Sequence, residues 1–233
     1  MNIMIKLSGE SLSAEESVFN LHAVSEYAAI LADAVANGNR LYVVTGGGNI
    51  CRGKDWKTKS TSVKEIVDYI GMLATIQNCL LLKQALLKLG IKSKVVIPSS
   101  FGLPQMFCHA EDVAADDQII LLGGGIGRSG YSTDMATVEN AICRGCEKIL
   151  WCKNNTDGVY SAPPTESNAV FLPRLTYKEY LARKLIAVDL IAVRRMADVP
   201  HIPSYVFRMT PDNLRAMLNG YESCVKRYTL ILG

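Results

Sequence analysis

The sequence predicts an α/β protein in which a largely parallel sheet is covered by helices on both faces. Two observations carry this reading. Short apolar segments of strand length alternate with longer segments whose apolar residues recur at helical spacing, and glycine-dense loops directly follow two of the strands.

Taken in order, Asn2 to Leu7 reads as a short buried strand. Leu21 to Ala36 reads as a helix stopped by Asn37, Gly38 and Asn39. Leu41 to Val44 is a strand that runs into Thr45, Gly46, Gly47, Gly48 and Asn49. Ser62 followed by Glu65 has the form of a capping box, opening the longest helix, which reaches about Leu89 and is closed by Gly90. Next come a strand from Lys94 to Ile97, a loop around Pro98 to Pro104 and a strand from Gln118 to Leu122. A helix from Ser132 to about Arg144 and a strand from Lys148 to Cys152 follow. Beyond that point Asn154 to Gly158 and Ala162 to Pro164 supply turn chemistry around a short β segment. Thr176 with Glu179 is a second capping box. A helix from Asp189 to Ala197, a strand from Tyr205 to Phe207, a helix opened by Thr210 and Pro211, and a closing strand from Tyr228 to Leu232 complete the chain. The change of texture near residue 150 divides one domain, residues 1–233, into lobes 1–150 and 151–233.

At 233 residues and 49% hydrophobic the chain can bury a sizeable core. A net charge of +3 with no block of like charges gives no cationic field suited to nucleic acid. No apolar run approaches the roughly 20 residues that span a bilayer, and Lys6 interrupts the first apolar segment too early for a signal peptide. A cytoplasmic location without membrane partners is the expectation. The 7 cysteines are scattered and odd in number, as reduced thiols are. Cys143 and Cys146 have the spacing of half a zinc site, but no second pair exists, so packing cysteines and no metal site are expected.

Leu121 to Glu139 is the most informative stretch. An apolar strand enters a loop with Gly123, Gly124, Gly125, Gly127 and Gly130, and then a helix start that Ser132 and Thr133 can cap. Backbone N–H groups can approach an anion there without a Cβ in the way. The earlier loop from Gly46 to Gly53 is neither a Walker A sequence nor a dinucleotide fingerprint. It reads either as a second phosphate loop, with Arg52 as a planar donor fork, or as a tight strand-to-helix turn. Two phosphate loops suggest two phosphorylated ligands and transfer between them.

Lys6 and Lys153 each stand at a strand end, where ligands gather in open parallel sheets, or where lysines are simply solvated. Asp68, Gly71, Thr75 and Cys79 form a small or polar stripe on the long helix, which fits either a close ligand or helix packing. Asp134 suits the dipole of the helix that follows the main loop. Two lysines about one phosphate would supply the spread charge stabilisation that phosphoryl transfer needs.

In order and spacing these motifs resemble the amino acid kinase superfamily and, within it, the bacterial uridylate kinases. Lys6 to Glu10 matches KLSGE, Gly46 to Gly53 matches GGGNxxRG, and Asp68 to Thr75 matches DxMGMLAT except at Ile70. Lys153 to Tyr160 matches KNxVDGVY except at Thr156. The resemblance implies a three-layer αβα sandwich, usually a homohexamer, that moves the γ-phosphate of ATP onto UMP with Mg²⁺. It implies that Lys6, Leu7, Ser8 and Gly9, with Gly48 and Arg52, meet the ATP phosphates, and that Asn154, Tyr160 and the segment at Pro163 line the ATP base and ribose. Gly47 and Asp68 would hold UMP, with Asp68 on the ribose hydroxyls. Ile126, Gly127, Arg128, Ser129, Gly130, Tyr131, Ser132 and Thr133 would wrap the uridylate. Lys6, Lys153 and Arg52 would act in catalysis, and Asp134 would orient the lysines. Effector control by GTP or UTP is also implied.

Three departures stand out. The family loop GTGxPxFTTD is here Gly125 to Asp134, with Ile126 for the first threonine and without the proline and one aromatic. Pro163 replaces the acid of the AxDP segment, and Arg208 replaces the asparagine of VFN. They leave open a different small acceptor, such as a carboxylate, carbamate or another phosphate, or a nucleotide-binding or storage assembly that has lost catalysis.

Overall fold

The computed structural model describes residues 1–51, 56, 60–99 and 112–233. Its elements are β1 (Asn2–Leu7), α1 (Leu21–Ala36), β2 (Arg40–Thr45), α2 (Thr61–Lys88), β3 (Ser93–Val96), β4 (Ile119–Leu122), α3 (Thr133–Cys143) and β5 (Lys148–Lys153). They continue with β6 (Val159–Tyr160), β7 (Phe171–Leu172), β8 (Arg174–Thr176), α4 (Tyr177–Ala182), α5 (Leu190–Ala197), β9 (Ser204–Arg208), α6 (Pro211–Leu218) and β10 (Tyr228–Leu232). Eight strands form one sheet in the order β3-β4-β2-β1-β5-β9-β10-β8, while β6 and β7 make a separate antiparallel pair. Within the large sheet only β9 and β10 are antiparallel neighbours.

Alternation along each strand sorts side chains into two cores. Ile3, Ile5 and Leu7 pack with Leu31, Ile76 and Leu214 on the α1, α2 and α6 side. Met4, Tyr42 and Trp151 pack with Val138, Tyr180 and Val193 on the α3, α4 and α5 side. The result is the three-layer αβα sandwich, its parallel strands buried on both faces as such sheets require. The sheet runs through residue 150, since Ile3 to Leu7 pairs with Lys148 to Cys152.

Helix ends follow the sequence signals with one correction. Ser132 accepts from Met135 N, Thr210 from Asn213 N, and Thr176 with Glu179 closes a full capping box. Ser62, expected to cap α2, lies inside it. The first intrahelical bond runs from Lys64 N to Ser60 O, so the helix starts at Thr61 with Ser60 in the N-cap position. At the other end Gly90, at φ +74°, lets Ile91 N reach Leu86 O and Gly90 N reach Leu87 O, a Schellman closure. Strand β8 was not anticipated, because three residues with polar ends carry no readable period. The 28 residues of α2 have the length and apolarity of a membrane span, but half of the most apolar stretch is buried within the chain. Cys143 is exposed whereas Cys146 is buried, and burial pushes the Cys146 thiol up to about 12.

Candidate functional site

Because β4, β2, β1, β5 and β9 are parallel, their carboxyl ends share one edge of the sheet. Lys6 and Lys153, on adjacent strands, fall on the same face as Met4 and Trp151, the face covered by α3. The Asp134 carboxylate in the first turn of α3 bridges them. Oδ1 lies 3.4 Å from Lys6 Nζ and Oδ2 lies 3.3 Å from Lys153 Nζ. Asp189 N donates to the same Oδ2 at 3.1 Å. Burial alone would raise the Asp134 pKa, but Lys153, Lys6 and the Asp189 N–H override it and hold the carboxyl well below its ordinary value. Burial lowers the Lys153 ammonium from its ordinary value, opposed by Asp134 and reinforced by Lys6. A carboxylate so placed fixes two cations at one point of the sheet edge.

The loop after β2 is built by close packing. A Cβ at Gly9 would stand 2.7 Å from Gly46 O and 2.8 Å from Gly48 N, and one at Gly47 would stand 2.8 Å from Gly71 O. One at Gly46 would lie 3.7 Å from Lys6 Nζ, so this loop borders the lysine. Asn78, fully buried in α2, clamps it: Nδ2 donates to Gly46 O at 2.7 Å and to Asn49 Oδ1 at 2.8 Å, and Oδ1 accepts from Asn49 Nδ2. Thr75, one turn earlier, accepts from Gly124 N through Oγ1 and so ties α2 to the second glycine loop. Sequence reasoning found Thr75 and Cys79 on this stripe but missed Asn78, whose signal was its place three residues after Thr75 on the same helix face.

Two cavities flank the charged cluster. One, of about 230 Å³, lies between α2 and the loop after β4 and is lined by Gly47, Asp68, Gly71, Gly125, Ile126 and Thr133, with Cys51, Val67, Met72, Thr75, Tyr131 and Ser132 completing it. An added Cβ at Gly71 would meet nothing within 4 Å, so helix packing does not account for that glycine; it opens onto the cavity. Asp68 Oδ2 accepts from Ser129 Oγ at 2.5 Å and from Gly130 N at 2.8 Å, closing the loop onto α2. Gly127 is buried and Arg128 is exposed outside the cavity. Ser132 Oγ also donates to Asp189 Oδ2 at 2.6 Å, a junction absent from the sequence reading of Ser132 as a helix cap and part of the uridylate loop.

The other cavity, of about 320 Å³, is lined by Asp134, Lys153, Asn155, Thr156, Gly158 and Tyr160, and by Ala162, Pro164, Ile186 and Ala187. Tyr160 Oη donates to Asp157 Oδ1 and receives Arg227. Asn154 does not line it: its Oδ1 accepts from Ser11 Oγ and its carbonyl from Arg208, which gives Arg208 a place at the end of β9. Asn155 takes the lining position instead. Pro163 lies between two lining residues and its carbonyl accepts from Glu166 N. Leu7 is buried in the core and its carbonyl is taken by Gly46 N, so its side chain is unavailable to a ligand. Ser8 precedes the short helical turn Gly9–Leu12, and Gly48 lines a separate hollow beside Ser13 to Val18. Arg52 lies outside the described residues, as do residues 100–104 of the loop expected after β3.

The family model described as amino acid kinase family matches residues 1–199. The chain is 33% identical to the uridylate kinase of Mesoplasma florum over 231 residues, 96% of each chain. It is 34% identical to that of Rhodopseudomonas palustris over 228 residues, covering 94% of this chain and 93% of the relative. Among solved structures, the UMP kinase of Bacillus anthracis superimposes with a TM-score of 0.81 at 26% identity, covering 99% of this chain and 95% of that one. The UMP kinase of Ureaplasma parvum gives 0.86 at 24% identity over 100% and 99%, a likeness of fold.

Proposed function

The chain belongs to the amino acid kinase family, and from that premise we infer that it is an enzyme moving the γ-phosphoryl group of ATP onto UMP, giving ADP and UDP. One observation carries the reading: the cavity lined by Asp134 and Lys153, with Lys6 on the same carboxylate, neighbours a second one that reaches Thr133, the residue before Asp134, and presents Asp68, a carboxylate able to accept from ribose hydroxyls. The cavity beside Tyr160 takes ATP, so residues 151–233 form the donor lobe. The cavity beside Asp68 takes UMP, so residues 1–150 form the acceptor lobe. The two ammonium groups spread stabilisation over the transferring phosphoryl, and Asp134 keeps them in place at no cost of reorganisation during reaction. The acceptor phosphate is already anionic, so alignment rather than a strong base is what the site supplies. Arg52 follows the first loop in sequence and adds a donor fork to the phosphates.

Magnesium enters as part of the substrate, MgATP. Among the described residues no three His, Cys, Asp or Glu side chains converge on a metal position, and both Asp134 oxygens face lysines. Mg²⁺ held mainly by phosphates and water suits that donor set. The enzyme works in cytoplasmic pyrimidine nucleotide synthesis as a homohexamer, with GTP or UTP as effectors. Assembly is supported by the outer face of α2, where Val63, Ile66, Ile70 and Leu73 are exposed. The test is ADP release with MgATP and a panel of UMP, CMP, dTMP, carbamate and small amino acids. Turnover strongest with UMP is expected; silence with UMP and turnover with another acceptor would overturn the reading.

A further inference from the structure

The Asp68 carboxylate faces the acceptor cavity already half engaged. Both of its hydrogen bonds fall on Oδ2, from Ser129 Oγ at 2.5 Å and Gly130 N at 2.8 Å. Among the described residues nothing donates to Oδ1. A carboxylate oxygen has two lone-pair positions in its plane, so these two donors fill Oδ2. Ser129 reaches Asp68 because the loop after β4 turns through left-handed glycines on both sides of it, Gly127 at φ +74° and Gly130 at φ +86°. It also stands where the resembling loop pattern has proline, which carries no donor.

Resting on the reading of this cavity as the UMP site, we propose that Ser129 determines how the acceptor sugar is read. Its hydroxyl competes with one of the two ribose hydroxyls for Asp68. In the bidentate arrangement that suits neighbouring hydroxyls, one sugar hydroxyl takes Oδ1 and the other faces Oδ2, where it gains a full bond only by displacing Ser129. A nucleotide with one hydroxyl fewer gives up little, because the oxygen it would have used is already satisfied. A site discriminates strongly against a missing hydroxyl only when that absence leaves a buried polar group unpaired, and Ser129 prevents that.

The experiment compares UMP with dUMP, each with MgATP, in wild type, Ser129→Ala and Ser129→Thr. In Ser129→Ala one position on Oδ2 opens to the ribose, so the UMP to dUMP ratio of kcat/KM should rise by about tenfold, as a hydrogen bond to a charged acceptor warrants. The rise should come through KM for UMP. Ser129→Thr, which keeps the hydroxyl, should return the ratio to the wild-type value, and turnover of dUMP shows that each variant is folded. A ratio that stays level or falls in Ser129→Ala, or Ser129→Thr behaving like Ser129→Ala, overturns the proposal. Wild type that phosphorylates neither nucleotide overturns the acceptor reading, and this proposal with it.

Discussion

The two glycine loops resemble each other as sequence but use glycine for opposite reasons. At Gly47 in the first loop a Cβ would stand 2.8 Å from Gly71 O and 2.9 Å from Ala74 Cβ, and the backbone there is not left-handed. At Gly130 in the second a Cβ would meet nothing within 4 Å, and the requirement is a φ of +86°. Gly124, Gly125 and Gly127 share that left-handed backbone. The first loop is thus a packed wedge between β2 and α2, locked by Asn78 and bordering Lys6. The second is a sequence of turns whose shape is set by local conformation and by side chains that reach it, Thr75, Asp68 and Asp189. A glycine count cannot separate a loop that must fit from a loop that must bend.

The largest effect is expected where the second loop hands the chain to α3, beside the lysine that the first loop borders. Asp134→Asn removes the charge shared by Lys6 and Lys153 and leaves two buried cations facing each other. A fall in kcat of about 10²–10³ and a loss of about 3–5 kcal/mol in stability are expected, read by steady-state kinetics and urea unfolding. The pH dependence follows from the lowered carboxyl. Its contribution to stability is complete above the ordinary aspartate value of 3.8 and is lost as pH falls below that toward the depressed folded value. Wild type should therefore lose stability in acid through this window more steeply than Asp134→Asn. Equal acid limbs would mean that Asp134 is not held by the lysines.

Next in size, Gly47→Ala should cost about 1–3 kcal/mol in thermal or urea unfolding, because backbone atoms, not a flexible side-chain tip, stand in the way. It should also narrow the acceptor cavity and raise KM for UMP. The smallest effect belongs to Gly130→Ala, about 1 kcal/mol of backbone strain with no clash. The comparison is broken if Gly130→Ala costs more than Gly47→Ala. It is sharpened if Gly130→D-Ala, made by semisynthesis, recovers the wild-type stability while Gly47→D-Ala does not.

How much of this was legible in the sequence depends on the range of the interaction. Lys6 and Lys153 were legible because strand ends and parallel topology together fix where such residues go. From its own residues Asp134 was legible only as a charge near the loop; that it orients the lysines came from the family resemblance, and the bridge itself needed β1, β5 and α3 to be brought together. Asn78 was barely legible: its place three residues after Thr75 was its one signal, and an asparagine inside a helix looks solvated until α2 lies across the ends of β2 and β4. The Asp68 to Ser129 bond was hidden for a different reason, since a loop with several left-handed glycines has no period from which to read its path. Asn154 and Asn155 were separated only by the structure, adjacent residues of one type with one turned to Ser11 and the other to the cavity.

The most direct measurement follows phosphorus-31 resonances in a mixture of the protein, MgATP and UMP. The expected result is that the α and β signals of UDP grow in step with those of ADP, with no free phosphate, as direct transfer from one bound nucleotide to the other requires. Growth of ADP with inorganic phosphate and no UDP would contradict it.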